Sequence, residues 1–208
     1  MKQLFPKDKS VQISLSPHSP HNIIPKLIEP NNTVLDLGCN NGVLGIKLKH
    51  NNNIIDGVDI NNKYFKKAKP YYRHLYTQDL SKPLILKHKY NYIVLSDILE
   101  HLPHPDYLLN QLSKLLKPGG KIIVSLPNIA RLEIRIKLLF GIFDYSPGIL
   151  SPDHLRFFTK DSAIKLLNNS GFSTQKIIPT GFGHMINILP TITAFQFIFV
   201  CSRSQKKK

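Results

Sequence analysis

Cysteine is scarce in this sequence. The 208 residues contain two cysteines, Cys39 and Cys201, which lie far apart in the chain. Two such residues cannot form the disulfide framework of a small secreted domain, so we expect a reduced, cytoplasmic setting. Hydrophobic residues make up 42% of the chain, which is typical of a globular protein and too high for a disordered one.

Segments that would direct the chain to a membrane are also lacking. Residues 1–10 contain lysines but no apolar stretch follows them, which argues against a secretory signal. The most apolar late segment, residues 185–201, is interrupted by Asn187, Pro190 and Gln196. Because these residues break the run, we do not expect it to span a membrane. The sequence therefore predicts a soluble protein.

Acidic residues are few. The sequence has 13 aspartates and glutamates and 28 lysines and arginines, which gives a formal net charge of +15. Such a charge is typical of proteins with anionic partners, including nucleic acids, phosphorylated metabolites and membrane surfaces. The basic residues are scattered, however, except for the lysines at 206–208. We therefore favour a solvated lysine-rich surface. Nucleic acid is a partner we do not favour, peripheral membrane contact stays open, and the oligomeric state is not predicted.

Strand and helix patterns alternate from about residue 31 onward. This alternation predicts an α/β fold, a doubly wound and mostly parallel sheet with helices on both faces. The length fits one domain. We predict an N-terminal arm over residues 1–30, a single domain over 31–203 and a basic tail over 204–208. Residues 128–158 interrupt the alternation after the fifth strand and are expected to form a cap.

Apolar runs, periodicity and capping residues predict the individual elements. Strands are expected at residues 33–37, 54–59, 72–77, 92–96, 121–126, 172–178 and 193–200. Helices are expected at residues 23–28, 43–49, 61–68 and 159–168. A further helix is indicated by leucines that share one face at helical spacing, which are Leu108, Leu109, Leu112, Leu115 and Leu116. The Lys-Pro-Gly-Gly segment at 117–120 should end it.

A glycine-containing loop, Asp-Leu-Gly-Cys-Asn-Asn-Gly, runs from Asp36 to Gly42 at the end of the first strand. Glycines here let the backbone turn sharply and approach a ligand, although a simple turn would also use them. The dinucleotide-binding spacing G-x-G-x-x-G fails from Gly38, because Asn40 and Val43 occupy the other glycine positions. The pattern D-x-G-x-G-x-G is missed only at Asn40, and asparagine tolerates a positive φ.

This loop resembles motif I of the class I S-adenosylmethionine-dependent methyltransferases. Four further segments resemble later motifs of the family in the same order, at residues 57–60, 78–80, 92–102 and 116–124. Within the family, the chain resembles a type 11/12-like bacterial group that modifies glycans or small molecules. The resemblance implies a seven-stranded Rossmann-like sheet and S-adenosylmethionine as the cofactor.

The resemblance also implies which residues contact the cofactor. Asp36, Gly38 and Gly42 would surround its methionine part, and Ser96 would lie beside the sulfonium. Asn40, in the same loop, is also expected to contact the cofactor. Asp59, 17 residues after Gly42, would accept hydrogen bonds from the ribose hydroxyls. The residues expected near the adenine are Ile60, Asp79 and Leu80.

Acids and histidines form the candidate catalytic group. Asp97, Glu100 and His101 follow the fourth strand, and His154 lies in the cap. A neutral histidine is a suitable general base, so we select Glu100, His101 and His154 as candidate catalytic residues. Structural roles are an alternative, and so is a divalent metal. The segment resembles the Glu-x-x-Glu-His cluster of small-RNA 3′-end 2′-O-methyltransferases, and family members that act on quinone precursors carry a similar one. We assign no metal.

The cap is both basic and apolar, and three interpretations compete. Its leucines would pack on the core as a lid, which we favour, or Arg131, Arg135 and Lys137 would face lipid headgroups or RNA phosphates. The leading function is O-methylation of a small molecule, a glycan or a lipid-linked sugar. The alternatives are a metal-assisted RNA 2′-O-methyltransferase and a non-catalytic protein that binds S-adenosylmethionine.

Overall fold

A computed structural model describes residues 18–181 and 189–204. The strands are β1 (Thr33–Leu37), β2 (Ile54–Asp59), β3 (His74–Thr77), β4 (Tyr90–Ser96), β5 (Leu116–Pro127), β6 (Phe172–Pro179) and β7 (Gln196–Arg203). They form one seven-stranded sheet in the order β3-β2-β1-β4-β5-β7-β6. The first five strands are parallel, and β7 runs antiparallel between β5 and β6. The predicted seven-stranded, mostly parallel sheet is therefore confirmed.

Helices connect the strands on both sides of the sheet. They are α1 (Pro20–Ile23), α2 (Val43–Leu48), α3 (Phe65–Ala68), α4 (Pro105–Leu115), α5 (Leu132–Leu139), α6 (Lys160–Asn169) and α7 (Pro190–Thr193). Single 3₁₀ turns lie at Ile24–Leu27, Lys49–Asn51, Asn62–Tyr64, Lys69–Tyr71 and Leu99–His101. In the described ranges, no helix combines the length and the apolar character that crossing a bilayer requires.

The sheet is buried on both faces because successive side chains of a strand point to opposite sides. In β1, Leu35 and Leu37 join the core cluster that includes α4 and α6, whereas Val34 joins the cluster that includes α1, α2 and Ala68 of α3. Continuous apolar strands of this kind are typical of parallel sheets covered by helices. The arrangement leaves the carboxyl ends of the strands as the edge where a ligand can enter.

Several element boundaries differ from those predicted. Helix α4 ends at Leu115, so Leu116 is not on its apolar face but begins β5 and pairs with Tyr90 of β4. Strand β7 begins at Gln196 because the residues before it first form the short helix α7. Strand β3 begins at His74, since Tyr72 turns into the protein interior before the strand starts.

Most leucines of the cap, including those of α5, do not pack on the core. Leu132 is 49% exposed and Leu139 is 81% exposed, and Ile134 is the buried residue of α5. The apolar residues of α5 recur mostly at every second position, which places them on opposite sides of a helix. Ile134 joins Ile149 and Leu150 in a small cluster of its own. The interpretation of the segment as a lid built on its leucines is therefore wrong.

The predicted N-terminal arm is described only from residue 18. There α1 and the turn after it bury Ile23 and Ile24 in the core. Residues 1–17 and 205–208, which include most of the arm and of the basic tail, lie outside the described residues. So do residues 182–188, and therefore the first four residues of the apolar segment 185–201.

Candidate active site

Three adjoining cavities open at the carboxyl ends of the parallel strands. A central cavity of about 330 Å³ lies over β1 and β4, and its lining includes Asp36, Gly38, Asn40, Asp59, Ser96 and His101. An outer cavity of about 330 Å³ adds Ile60, Asp79 and Leu80. A cap cavity of about 490 Å³ adds Glu100, Asp153 and His154. His101 lines all three, so the cavities form one branched site.

The loop after β1 is shaped by positive backbone angles. Gly38 has a φ of 76°, and a Cβ there would come within 2.1 Å of the Ile98 side chain. Asn40 has a φ of 44°, which agrees with the expectation that asparagine replaces a glycine in this loop. Gly42 does not line the described cavities. Its φ of 84° begins α2, and a Cβ there would come within 2.9 Å of Ala68.

Asp59 presents a fixed carboxylate between the central and outer cavities. Its Oδ2 accepts a hydrogen bond of 2.9 Å from the Asn40 amide, and its Oδ1 accepts one of 2.9 Å from the Asn61 amide. On the far side of the outer cavity, hydrogen bonds from Ser81 lower the pKa of Asp79. The acids predicted at the ends of the second and third strands therefore line the same space.

A buried hydrogen-bonded chain supports the loop from below. The Tyr72 hydroxyl donates to Asp36 Oδ2 at 2.5 Å and accepts from the Gly45 amide at 3.2 Å. Burial raises the pKa of Asp36 from its ordinary 3.8 to about 7, although the bond from Tyr72 opposes the rise. Tyr72 was expected only as a strand residue. No motif identified it, because its contact with Asp36 depends on the chain turning inward before β3.

Asp97 follows β4 in a strained backbone conformation, with a φ of 56°. Its Oδ1 accepts hydrogen bonds from Ser125 Oγ at 2.8 Å and from Gln196 Nε2 at 2.7 Å. Ser125 Oγ also lies 3.3 Å from Ser96 Oγ, which places the predicted Ser96 in the same network. Sequence reasoning missed Ser125 and Gln196, which reach the site from β5 and β7.

Glu100, His101 and His154 are brought together by the cap. The amides of Leu155 and Arg156 donate to the Glu100 carbonyl at 2.8 and 3.0 Å, which holds the cap on the loop after β4. The rings of His101 and His154 then meet edge to face, with centroids 4.9 Å apart. The three candidate catalytic residues are thus neighbours, although His154 is distant in sequence.

The electrostatics of this cluster differ from those of free side chains. Glu100 is 1% exposed, and its burial raises its pKa, with repulsion from Asp97 and Asp153 adding to the effect. Burial lowers the pKa of His154, and the neighbouring His101 contributes in the same direction. In both residues, burial therefore acts against the charged form of the side chain.

Comparison with known proteins identifies the family. The family model described as a methyltransferase domain matches residues 15–177, which is more than half of the chain. The chain belongs to this methyltransferase family. It is an enzyme family that uses S-adenosylmethionine, and the predictions of a methyltransferase and of this cofactor are confirmed.

Curated relatives and solved structures agree with this assignment. Ubiquinone biosynthesis O-methyltransferases are 28% identical over 154 residues in Coxiella burnetii (66% of this chain, 65% of the relative) and 24% identical over 164 residues in Azoarcus (69% of each). The chain thus spans about two thirds of the length of these relatives.

Two crystal structures of methyltransferases share the fold. One is magnesium protoporphyrin IX methyltransferase from Synechocystis with bound SAH, which is S-adenosylhomocysteine (TM-score 0.62, 22% identity, covering 88% of this chain and 78% of that one). The other is a methyltransferase from Clostridium acetobutylicum (TM-score 0.63, 14% identity, covering 88% and 87%).

The described residues of the methyltransferase fit its cofactor. Gly38 lines the central cavity, and a Cβ at this position would come within 2.1 Å of the Ile98 side chain. Asp59 offers a fixed hydrogen-bond acceptor for hydroxyl groups, and the outer cavity lies beside Asp59. His21 and Ile24 of the N-terminal segment also line the central cavity, which no sequence motif indicated.

Proposed function

We propose that this methyltransferase transfers a methyl group from S-adenosylmethionine to an oxygen atom of a small hydroxylated molecule bound in the cap cavity. The observation that carries the proposal is the junction of the cavities at Asp97 and His101, which line both the central and the cap cavity. A donor in the central cavity and an acceptor in the cap cavity would therefore meet beside these two residues.

On the cofactor side, each residue has a role that its position supports. Asp59 accepts hydrogen bonds from the ribose, and Ile60, Asp79 and Leu80 surround the adenine. Asp36, Gly38 and Asn40 lie around the methionine part of the cofactor. Ser96 lies beside the sulfonium. Gly42 allows the loop after β1 to turn into α2. When bound, the cofactor supplies a methyl group activated by a positively charged sulfur.

The charge of the cap cavity supports an uncharged acceptor. Its described lining includes the carboxyl groups of Asp97, Glu100 and Asp153 and contains neither lysine nor arginine. Ionised carboxylates repel phosphate, and no lysine or arginine of the described lining offsets them, so this cavity is poorly suited to an RNA backbone. The names of the relatives favour an oxygen acceptor. A glycan or lipid-linked sugar presents the same hydroxyl chemistry.

The protein contributes to the reaction mainly by alignment, because the methyl group is transferred in an in-line displacement. A hydroxyl acceptor must also lose its proton before or during the transfer. Glu100, His101 and His154 are the proposed catalytic residues for this activation. They line the cap cavity where the acceptor would lie.

The test is a methyl-transfer assay with isotope-labelled S-adenosylmethionine and a panel of phenols, sugars and RNA. We expect O-methylation of a small hydroxylated acceptor at a rate that depends little on salt. His154→Ala should lower turnover by roughly 100-fold or more, because general catalysis contributes on this scale, with SAH affinity preserved. The matched control is His88→Ala, which lies outside the described lining of the three cavities.

Transfer to RNA alone, or products methylated only on nitrogen, would overturn the proposal. Wild-type turnover in His154→Ala would remove His154 from the catalytic residues.

A further inference from the structure

The side chains of Glu100, His101 and His154 converge on one point. One carboxylate oxygen and one ring nitrogen from each histidine all lie within 4.8 Å of one another. Glu100 is buried and the two histidines are partly buried, so these groups are not a chance cluster on an open surface.

The Glu100 carboxylate lacks a partner. Both of its oxygens are buried and accept no hydrogen bond from the described residues. A buried polar group without a partner costs free energy, and a buried carboxylate is especially costly. The site therefore calls for a group that is not part of the chain to satisfy these oxygens.

Backbone carbonyls hold one ring nitrogen of each histidine. His101 Nδ1 lies 3.1 Å from the Asp153 carbonyl oxygen, and His154 Nδ1 lies 3.0 Å from the Ile149 carbonyl oxygen. A carbonyl oxygen only accepts, so each Nδ1 carries the hydrogen and donates it. In the neutral ring this leaves the lone pair on Nε2. A hydrogen bond from the second ring nitrogen is what fixes histidines that bind metals.

Asp97 is not part of this cluster. Its Oδ1 already accepts from Ser125 and Gln196, and it is not among the three converging residues. The remaining donor set is two imidazole nitrogens and one carboxylate. This set matches divalent transition metals such as Zn²⁺, Mn²⁺ or Co²⁺, whereas Mg²⁺ and Ca²⁺ prefer oxygen ligands alone.

We propose that Glu100, His101 and His154 together bind one divalent transition-metal ion at the floor of the cap cavity. Ligand atoms about 2.1 Å from a metal are at most about 4.2 Å apart, so any pair near the 4.8 Å limit would move slightly closer on binding. Three protein ligands leave coordination positions that face the cavity, as in catalytic metal sites.

The metal would deepen the proposed function, and this part of the inference depends on it. An acceptor hydroxyl bound to a divalent cation loses its proton more readily to solvent. The bond from sulfur to the methyl carbon then breaks as the bond from the acceptor oxygen forms, and the sulfonium becomes a neutral thioether. The metal ion is not consumed.

The experiment measures metal binding by the intact chain without an acceptor. Protein treated with a chelator is titrated with Co²⁺, followed by its visible absorption, and with Zn²⁺ in competition with a coloured chelator. We expect one equivalent to bind, and Glu100→Gln, His101→Ala and His154→Ala each to weaken binding at least 10-fold. SAH titration of each variant verifies that the cofactor side is folded.

The control is the pair His74 and His88, whose rings stack with centroids 5.8 Å apart. Their replacement by alanine should leave metal binding unchanged. The proposal is overturned if the wild type binds less than one equivalent, if Glu100→Gln and His154→Ala bind as well as the wild type, or if binding is lost in the His74 and His88 variants. Because no acceptor is present, methyl transfer and metal binding can fail independently.

Discussion

The cofactor side and the acceptor side of this site are built in different ways. On the cofactor side, Gly38, Asn40 and Asp59 lie at the ends of adjacent parallel strands, and backbone conformation holds them. On the acceptor side, Glu100 and His101 meet His154 only because the cap docks on the Glu100 carbonyl. The cofactor side therefore follows from local sequence and strand order. The acceptor side depends on where the cap lies.

This difference implies that the two sides respond separately to substitution. A change on the cofactor side should abolish SAH binding without altering the cap, and a change in the cap should leave SAH affinity intact.

Asp59→Ala should weaken SAH binding by roughly 100-fold or more, because two hydrogen bonds to a charged group are lost. Calorimetric titration measures the affinity. The control is Asp161→Ala, since the Asp161 side chain is 80% exposed on α6. Unchanged SAH affinity in Asp59→Ala would contradict the cofactor site, and lost metal binding in that variant would contradict the separation of the two sides.

Within the cap, Ile134→Ala should lower the free energy of unfolding by about 2 kcal/mol, because Ile134 is buried beside Ile149 and Leu150. Leu139→Ala should change it by less than about 0.5 kcal/mol, because Leu139 is 81% exposed. Urea denaturation measures both. Equal losses would show that Leu139 is covered after all, and a fall in SAH affinity in either variant would connect the cap to the cofactor side.

The smallest expected effect is a pH dependence of SAH affinity that Asp36 controls. The pKa of Asp36 is raised to about 7, so the free protein holds this carboxyl largely protonated at pH 6 and largely ionised at pH 8. If the positive amino group of SAH favours ionised Asp36, affinity should rise by about tenfold across this range and then level off.

Asp36→Asn should remove this rise, while Tyr72→Phe should move it to higher pH because the bond that stabilises the ionised form is gone. An equal rise in Asp36→Asn would refute the role of Asp36. The same shift also affects folding. The folded protein binds this proton more tightly than the unfolded chain does, so Asp36 lowers stability as the pH rises from about 4 to about 7.

The sequence allowed most of the sheet and the loop at Asp36 to be predicted, because buried parallel strands and glycine turns leave local patterns. It did not reveal Tyr72, Ser125 or Gln196. Their contacts depend on β5 lying beside β4 and on β7 lying beside β5, which no single segment encodes. The histidines could be selected by residue type, but their convergence with Glu100 required the docked cap.

The lid interpretation failed for a related reason. Apolar residues at every second position of α5 cannot share one helical face, yet the basic and apolar composition alone did not show this. Composition indicated an amphipathic segment, and only the helical geometry separated buried Ile134 from exposed Leu139.

The most direct test of the account is calorimetric titration of the wild-type chain with SAH, with NAD as the control ligand. We expect SAH to bind at one site and NAD not to bind, because the loop at Asn40 lacks the dinucleotide glycine spacing. Binding of NAD, or of neither ligand, would contradict the assignment of the central and outer cavities to S-adenosylmethionine.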